Sequence, residues 1–290
     1  MTFLDSLGAP PWITDGAWGT ELQKRGLPPG ECPDEWNLTN PDAVSEVARA
    51  YVDAGSQIIL TNTFRANGVA LAAAGLAARA RDINTAGVRL SRQAAAGRAR
   101  VFASMGPSGK MLVTGEIAED ALFDAFLAQS QALASEGPDA LLLETFSDLS
   151  EASVALRAAL ATQLPVVVSF AFDTGKNKDR TMMGVTPERA ATRMADEGAA
   201  AIGSNCGLGI QTAAAVCGRL RAATSLPVWM KPNAGLPEML PGGRMVYRST
   251  ADEFAAHAHG LRDAGASFIG GCCGTTPDFI RALASQFRTP

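Results

Sequence analysis

Hydrophobic positions along the chain gather into eight short runs rich in β-branched residues, at 12–15, 57–62, 100–104, 139–144, 165–170, 199–204, 227–231 and 267–270. The apolar residues are continuous rather than alternating, the pattern of parallel strands buried on both faces. Between the runs lie alanine-rich stretches of helical character: 41–54, 67–97, 120–136, 149–162, 187–197, 210–224 and 249–264. Asn40-Pro41, Thr186-Pro187 and Thr276-Pro277 each put a capping residue before a proline suited to a first helical turn. Gly55, Gly137, Gly198 and Gly265 stand at the corresponding stops. Eight strand–helix units in 290 residues predict a single (β/α)8 barrel over 1–290, of the TIM type, with a doubly wound open sheet as the competing architecture. The long interval between the first two strands leaves room for an extra loop at 27–34.

Composition narrows the functional classes. Hydrophobic residues make up 47% and charged residues 19%, which excludes a disordered chain or a coiled coil. The net charge of −4 offers no basic face, so no nucleic-acid partner is expected. No apolar run is long enough for a transmembrane helix, and residues 1–5 lack a basic leader, so the expectation is a cytoplasmic chain with no membrane association. Five cysteines accompany only two histidines, His257 and His259, which lie two apart in one helical stretch and face different directions. That scarcity argues against a Ser-His or Cys-His nucleophile. Cysteines in such a chain read as metal ligands or packing residues before disulfides.

In a barrel of this kind chemistry gathers at the C-terminal strand ends. Those ends carry Asp15, Asn62, Thr63, Gly106, Glu144, Asp173, Cys206, Asn233, Cys272 and Cys273. Cys272 and Cys273 sit inside Gly270-Gly271-Cys272-Cys273-Gly274, where glycines allow the backbone to turn both sulfurs together. Cys206 ends the sixth strand. Three thiolates with an open fourth position describe a catalytic zinc site; the plain alternative is three small buried hydrophobes. Cys32 and Cys217 lack the glycine frame and read as packing residues. Asp15-Gly16-Ala17-Trp18-Gly19-Thr20 combines an acid with backbone N–H groups able to hold a carboxylate, or is a tight turn with Asp15 as a helix cap. Glu144 is either a second site acid or half of an ion pair. Together, two acids and an N–H nest would grip both ends of an amino acid. The segment 104–109 could shape the rim or bind an anion, and its first residue, Ser104, is a candidate substrate contact. Asn233 could bind substrate or fill a metal position, and Trp18 and Trp36 could line a pocket or the core. Lys231, just before it, is a weaker candidate for a Schiff base.

These segments resemble the homocysteine S-methyltransferase family: Asp15–Thr20, Thr61-Asn62-Thr63-Phe64, Leu143-Glu144-Thr145, Asn205-Cys206-Gly207, and the run from Gly270 to Pro277. The resemblance covers nearly the whole chain in order. It implies a zinc-dependent (β/α)8 barrel that methylates homocysteine to methionine. It places zinc on Cys206, Cys272 and Cys273 and the substrate on Asp15 and Glu144. The stretch 232–237, Pro-Asn-Ala-Gly-Leu-Pro, is most similar to the homocysteine barrel of the cobalamin-dependent members. Thr145 stands where betaine-dependent members tend to carry tyrosine.

The nucleophile in such a reaction is a thiolate, which zinc would generate from the substrate thiol without a general base. The Asp-x-His-x-x-Gly cobalamin signature and a Gly-rich S-adenosylmethionine loop are both missing from the sequence. The expected methyl donor is therefore a methyl-corrinoid on a separate protein, with betaine or S-methylmethionine as small-molecule alternatives. A reading of a different class is a non-catalytic barrel subunit stabilised by zinc.

Overall fold

A computed structural model describes residues 9–236, 238–239 and 245–287. The N-terminal segment behind the leader expectation, and Pro237 of the 232–237 motif, lie outside them.

All eight expected strands are present: β1 (Trp12–Ile13), β2 (Ile58–Leu60), β3 (Arg100–Met105), β4 (Ala140–Phe146), β5 (Val166–Phe170), β6 (Ala201–Gly209), β7 (Val228–Asn233) and β10 (Ala266–Ile269). They form one parallel sheet in the order β1-β10-β7-β6-β5-β4-β3-β2. The two ends meet through a parallel bridge between Thr14 and Ile58, with Gln57 N–H donating to Ile13 O at 2.7 Å. That closure excludes the open doubly wound sheet and makes the architecture a (β/α)8 barrel.

The helices fill the intervals. They are α1 (Gly19–Lys24), α2 (Trp36–Thr39), α3 (Pro41–Ala54), α4 (Gly68–Ala72), α5 (Ala80–Ala95), α6 (Glu119–Ala134), α7 (Leu149–Leu160), α8 (Pro187–Asp196), α9 (Ile210–Ala223), α10 (Ala251–Asp263) and α11 (Pro277–Phe287). The helix expected over 67–97 is instead two helices joined by a turn and a short 3-10 segment, Ala77–Arg79. Asn67 caps the first by accepting from Ala70 N–H at 2.8 Å, and Gly75 adopts a left-handed conformation that ends it. Thr186 caps α8 as expected, but the Asn40 side chain makes no capping bond to α3. A small antiparallel strand pair after β7, β8 (Glu238–Met239) with β9 (Met245–Val246), was not expected. Its strands are too short for a periodic signal.

Strand alternation sorts the apolar residues into two cores. One set packs between sheet and helices. The other fills the barrel and includes Trp12, Phe102, Leu142, Val167, Trp229 and Phe268. Rings of Trp12 and Phe268 lie 4.8 Å apart, and Phe102 stacks on Trp229 at 5.7 Å. This plug closes the lower barrel, so any site must lie above it. Among the described residues no helix is long and apolar enough to cross a membrane.

Candidate metal centre and substrate pocket

Two residues up each strand from the aromatic plug, the inward positions turn polar: Ser104, Glu144, Ser169, Asn205 and Lys231 are all buried. Above them opens a cavity of about 400 Å3, walled by Gly16, Ala17, Trp18, Ser104, Glu144, Lys231 and the three strand-end cysteines. A cleft of that size suits a small polar molecule.

Cys206, Cys272 and Cys273 converge at the mouth. The Cys206 sulfur is 3.2 Å from that of Cys272 and 3.5 Å from that of Cys273, and all three lie within 4.8 Å of one another. Four ligands placed tetrahedrally 2.3 Å from one ion stand roughly 3.8 Å apart. The set therefore fits a zinc-sized ion with adjustments of about an ångström at most. Without a cation the thiols compete for protons. Hydrogen bonds from Cys206 and Cys272 push the Cys273 thiol down to about 3. Cys272, although lowered by its bond from Cys206, is raised to about 12 by the bond to Cys273, by burial and by the neighbouring charge. Cys206 is also raised, first by its bonds to the other two sulfurs.

The glycine frame works by close approach. A Cβ on Gly270 would collide with Thr14 Oγ1 and come within 2.7 Å of Asp15 O. The backbone strain, however, falls on Cys206 itself, whose φ of 59° is left-handed. Thr145 is left-handed as well, at 66°, a rare state for a β-branched residue. Asn205 holds both in place: its Oδ1 accepts from Thr145 N–H (2.8 Å) and Ser169 Oγ (2.7 Å), and its Nδ2 donates to Thr145 Oγ1 (2.6 Å). One buried amide thus braces the strand ends that carry Glu144 and Cys206.

Glu144 accepts a 2.5 Å hydrogen bond from Ser104 Oγ. Burial pushes its carboxyl up to about 7, against the opposing pull of the Lys231 charge. Asp15 lies beneath the cavity, fully buried. Its Oδ2 accepts from Leu60 N–H (2.7 Å) and Trp18 Nε1 (2.8 Å), and its Oδ1 forms an ion pair with Lys231. Lys231 is therefore the partner of a carboxylate rather than a free amine presented for a Schiff base. The Asp15–Ala17 turn is pinned from below: Tyr51 OH donates to Ala17 O (2.6 Å), and Ala17 N–H donates to Thr275 Oγ1 (3.2 Å).

The remaining expected positions divide. Asn233 is buried next to the cysteine turn, outside the cavity wall, and its Oδ1 has no partner among the described residues. Asn62 reaches the cavity but its amide is engaged by Pro33 O and Asn37. Thr63 supports β3 through Ser104 O, Gly106 packs under Phe64, and Asp173 is exposed. Trp36 belongs to the core. Cys217 is buried in the helical layer, and Cys32 lies in the 27–34 loop beside Asp34. His257 is exposed and His259 half-buried on α10, bonded to Glu253 O and Gln286. Sequence reading gave little weight to Lys231 and none to the Asn205 brace or to Tyr247, whose ring packs on Gly274 beside Cys273. The inward parity Trp229, Lys231, Asn233 is the signal that could have revealed the lysine.

Fold and site together define a (β/α)8 barrel with a three-thiol centre at the C-terminal ends of its strands. The family model for homocysteine S-methyltransferase matches residues 12–287, and the chain belongs to that family. Methionine synthase from Mycobacterium tuberculosis is 32% identical over 97% of this chain, and the chain spans about a quarter of that relative's length, 25%. Among solved structures, homocysteine methyltransferase MmuM from Escherichia coli is similar in its oxidized form, with 25% identity, a TM-score of 0.82, and coverage of 99% of this chain and 100% of that one. Its metallated form gives 26% identity and a TM-score of 0.81, covering 98% and 100%.

Proposed function

We propose that the chain, as one homocysteine-binding barrel domain over residues 1–290, transfers a methyl group to the thiol of homocysteine to give methionine. The observation that carries this reading is the convergence of Cys206, Cys272 and Cys273 on a cavity that also exposes a buried carboxylate, Glu144. The three sulfurs would hold zinc, as the metallated form of MmuM encourages. When bound, zinc supplies a Lewis acid that keeps the substrate sulfur as a thiolate at neutral pH. The buried, unpartnered Asn233 Oδ1 is suited to stand near the fourth position before substrate arrives.

The chain's own residues then orient the amino acid. Glu144, aimed by Ser104, holds the ammonium end. The other end lies toward the wall formed by Gly16, Ala17 and Lys231, with Asp15 beneath it. The homocysteine sulfur attacks the donor methyl; a sulfur–carbon bond forms while the donor's bond to that carbon breaks, its electron pair staying with the donor. No side-chain base takes part, which accords with two histidines that both lie far out on α10. The donor we favour is a methyl-corrinoid on a separate protein, by similarity to methionine synthase; betaine and S-methylmethionine are the alternatives. Five unpaired cysteines suit a reducing compartment such as the cytoplasm.

The test is methionine formation by zinc-loaded protein across betaine, S-methylmethionine, and methylcobalamin with and without a corrinoid protein. Turnover with a corrinoid donor alone is expected. No methionine from any donor, together with a cobalt-substituted spectrum unmoved by homocysteine, would establish the closed, non-catalytic zinc site instead.

A further inference from the structure

Lys231 is 2% exposed, yet it belongs to the cavity wall. Its ammonium has three N–H donors. Among the described residues one of them is used, on Asp15 Oδ1, and the group sits 5.9 Å from the ring centre of Trp229 below. A buried cation with free donors facing a cavity requires an acceptor from the occupant.

Asp15 already accepts from three donors, one of them a cation. Leu60 N–H, Trp18 Nε1 and Lys231 Nζ converge on its two oxygens. A substrate ammonium placed there would crowd a second cation against Lys231. Among the described residues Glu144 has no cation bonded to it, and Ser104 is the donor to its carboxylate. The backbone donors near Asp15 are partly engaged too: Ala17 N–H goes to Thr275, and Gly271 N–H goes to Asp15 O at 3.0 Å. The Lys231 charge also reaches Glu144 across the cavity, pulling its ionisation downward. The other cation on the wall, Arg65, is exposed and lies beside Asp34 at the mouth.

From this arrangement we infer that Lys231 receives the α-carboxylate of the substrate, with Asp15 as the residue that positions it; the inference rests on the homocysteine reading above. The pocket then grips its ligand at three points: sulfur at the cysteines, ammonium at Glu144, carboxylate at Lys231. The ligand class is a thiol-bearing α-amino acid with a free carboxylate, and esters, amides and decarboxylated thiols are excluded.

Calorimetric titration of the zinc-loaded protein compares homocysteine with 3-aminopropane-1-thiol, the same molecule without its carboxylate. Wild type is expected to prefer homocysteine by more than about thirtyfold, the scale of a lost buried charge contact. Lys231→Met should retain its zinc and reduce the preference to less than about threefold, even though both thiols bind more weakly as Glu144 loses a neighbouring cation. Because Lys231→Met leaves Asp15 buried and unpaired, the double variant Asp15→Asn/Lys231→Met removes both charges, and the same collapse of preference is expected. A preference preserved in the double variant overturns the assignment and gives the carboxylate to backbone N–H groups of the 16–17 turn. Equal affinity of wild type for both thiols overturns it as well, while leaving the homocysteine site standing. A wild-type protein that binds neither thiol overturns the functional reading and this inference with it.

Discussion

The barrel interior has two levels built from the same strands and the same face. The lower one is a packed plug of Trp12, Phe102, Trp229, Phe268 and aliphatic neighbours. The upper one, a single inward step higher, holds Ser104, Glu144, Ser169, Asn205 and Lys231. Below, non-directional burial does the work, and each aromatic side chain removes a large apolar area from water. Above, buried polar groups persist because each finds a directed partner: Ser104 on Glu144, Asn205 on Thr145 and Ser169, Lys231 on Asp15. The lower level can tolerate exchange of one hydrophobe for another of equal volume. The upper level cannot tolerate loss of one partner, since the other is left charged or unpaired in a dry place. Stability and chemistry are thus separated along the barrel axis by about one pair of residues per strand.

Breaking each level should give opposite signatures. The largest effect is expected from Cys273→Ser, which should weaken zinc binding by about a thousandfold or more and abolish methyl transfer while the barrel stays folded. Chelator competition and methionine formation check it; zinc-free turnover would sink the metal model. Phe102→Ala in the plug should do the reverse. It should cost about 3–5 kcal/mol in urea unfolding yet leave the zinc content of the folded fraction unchanged.

Glu144→Gln tests the upper level more finely. The Michaelis constant for homocysteine should rise roughly thirtyfold with zinc retained, the scale of one charge-assisted contact. The carboxyl, raised to about 7 by burial, is neutral below that value and charged above it. Homocysteine binding by wild type should therefore strengthen as pH rises through 7, and the variant should lose that part of the profile. The smallest expected effect lies at the cavity mouth. Asp34 is buried, and that burial raises its carboxyl to about 6 from an ordinary value of 3.8. Ionisation then opposes folding: the cost is absent below about 4 and complete above about 6. Asp34→Asn should raise the melting temperature by a few degrees at pH 8, of order 1 kcal/mol, and leave it unchanged near pH 4.

What the amino-acid sequence determined by itself is local or periodic. Continuous apolar runs marked all eight parallel strands, and the Pro and Gly punctuation marked α3 and α8 closely, because strand and helix formation depend on neighbours in the chain. The glycine-framed Cys272-Cys273 pair and Cys206 were legible for a related reason: a barrel's topology alone brings the ends of its strands to one rim. The break between α4 and α5 was missed, since Gly75 inside an otherwise helical pattern is tolerated as often as it terminates. Tertiary structure decided the rest. The Lys231–Asp15 pair joins residues 216 apart, and the Asn205–Thr145 brace joins residues 60 apart. No local pattern records which buried polar group finds which partner. Only closure of the sheet sets the heights and facings that turn an acid at one strand end and a lysine near another into an ion pair. The desolvation that makes such pairs obligatory exists only once the barrel has formed.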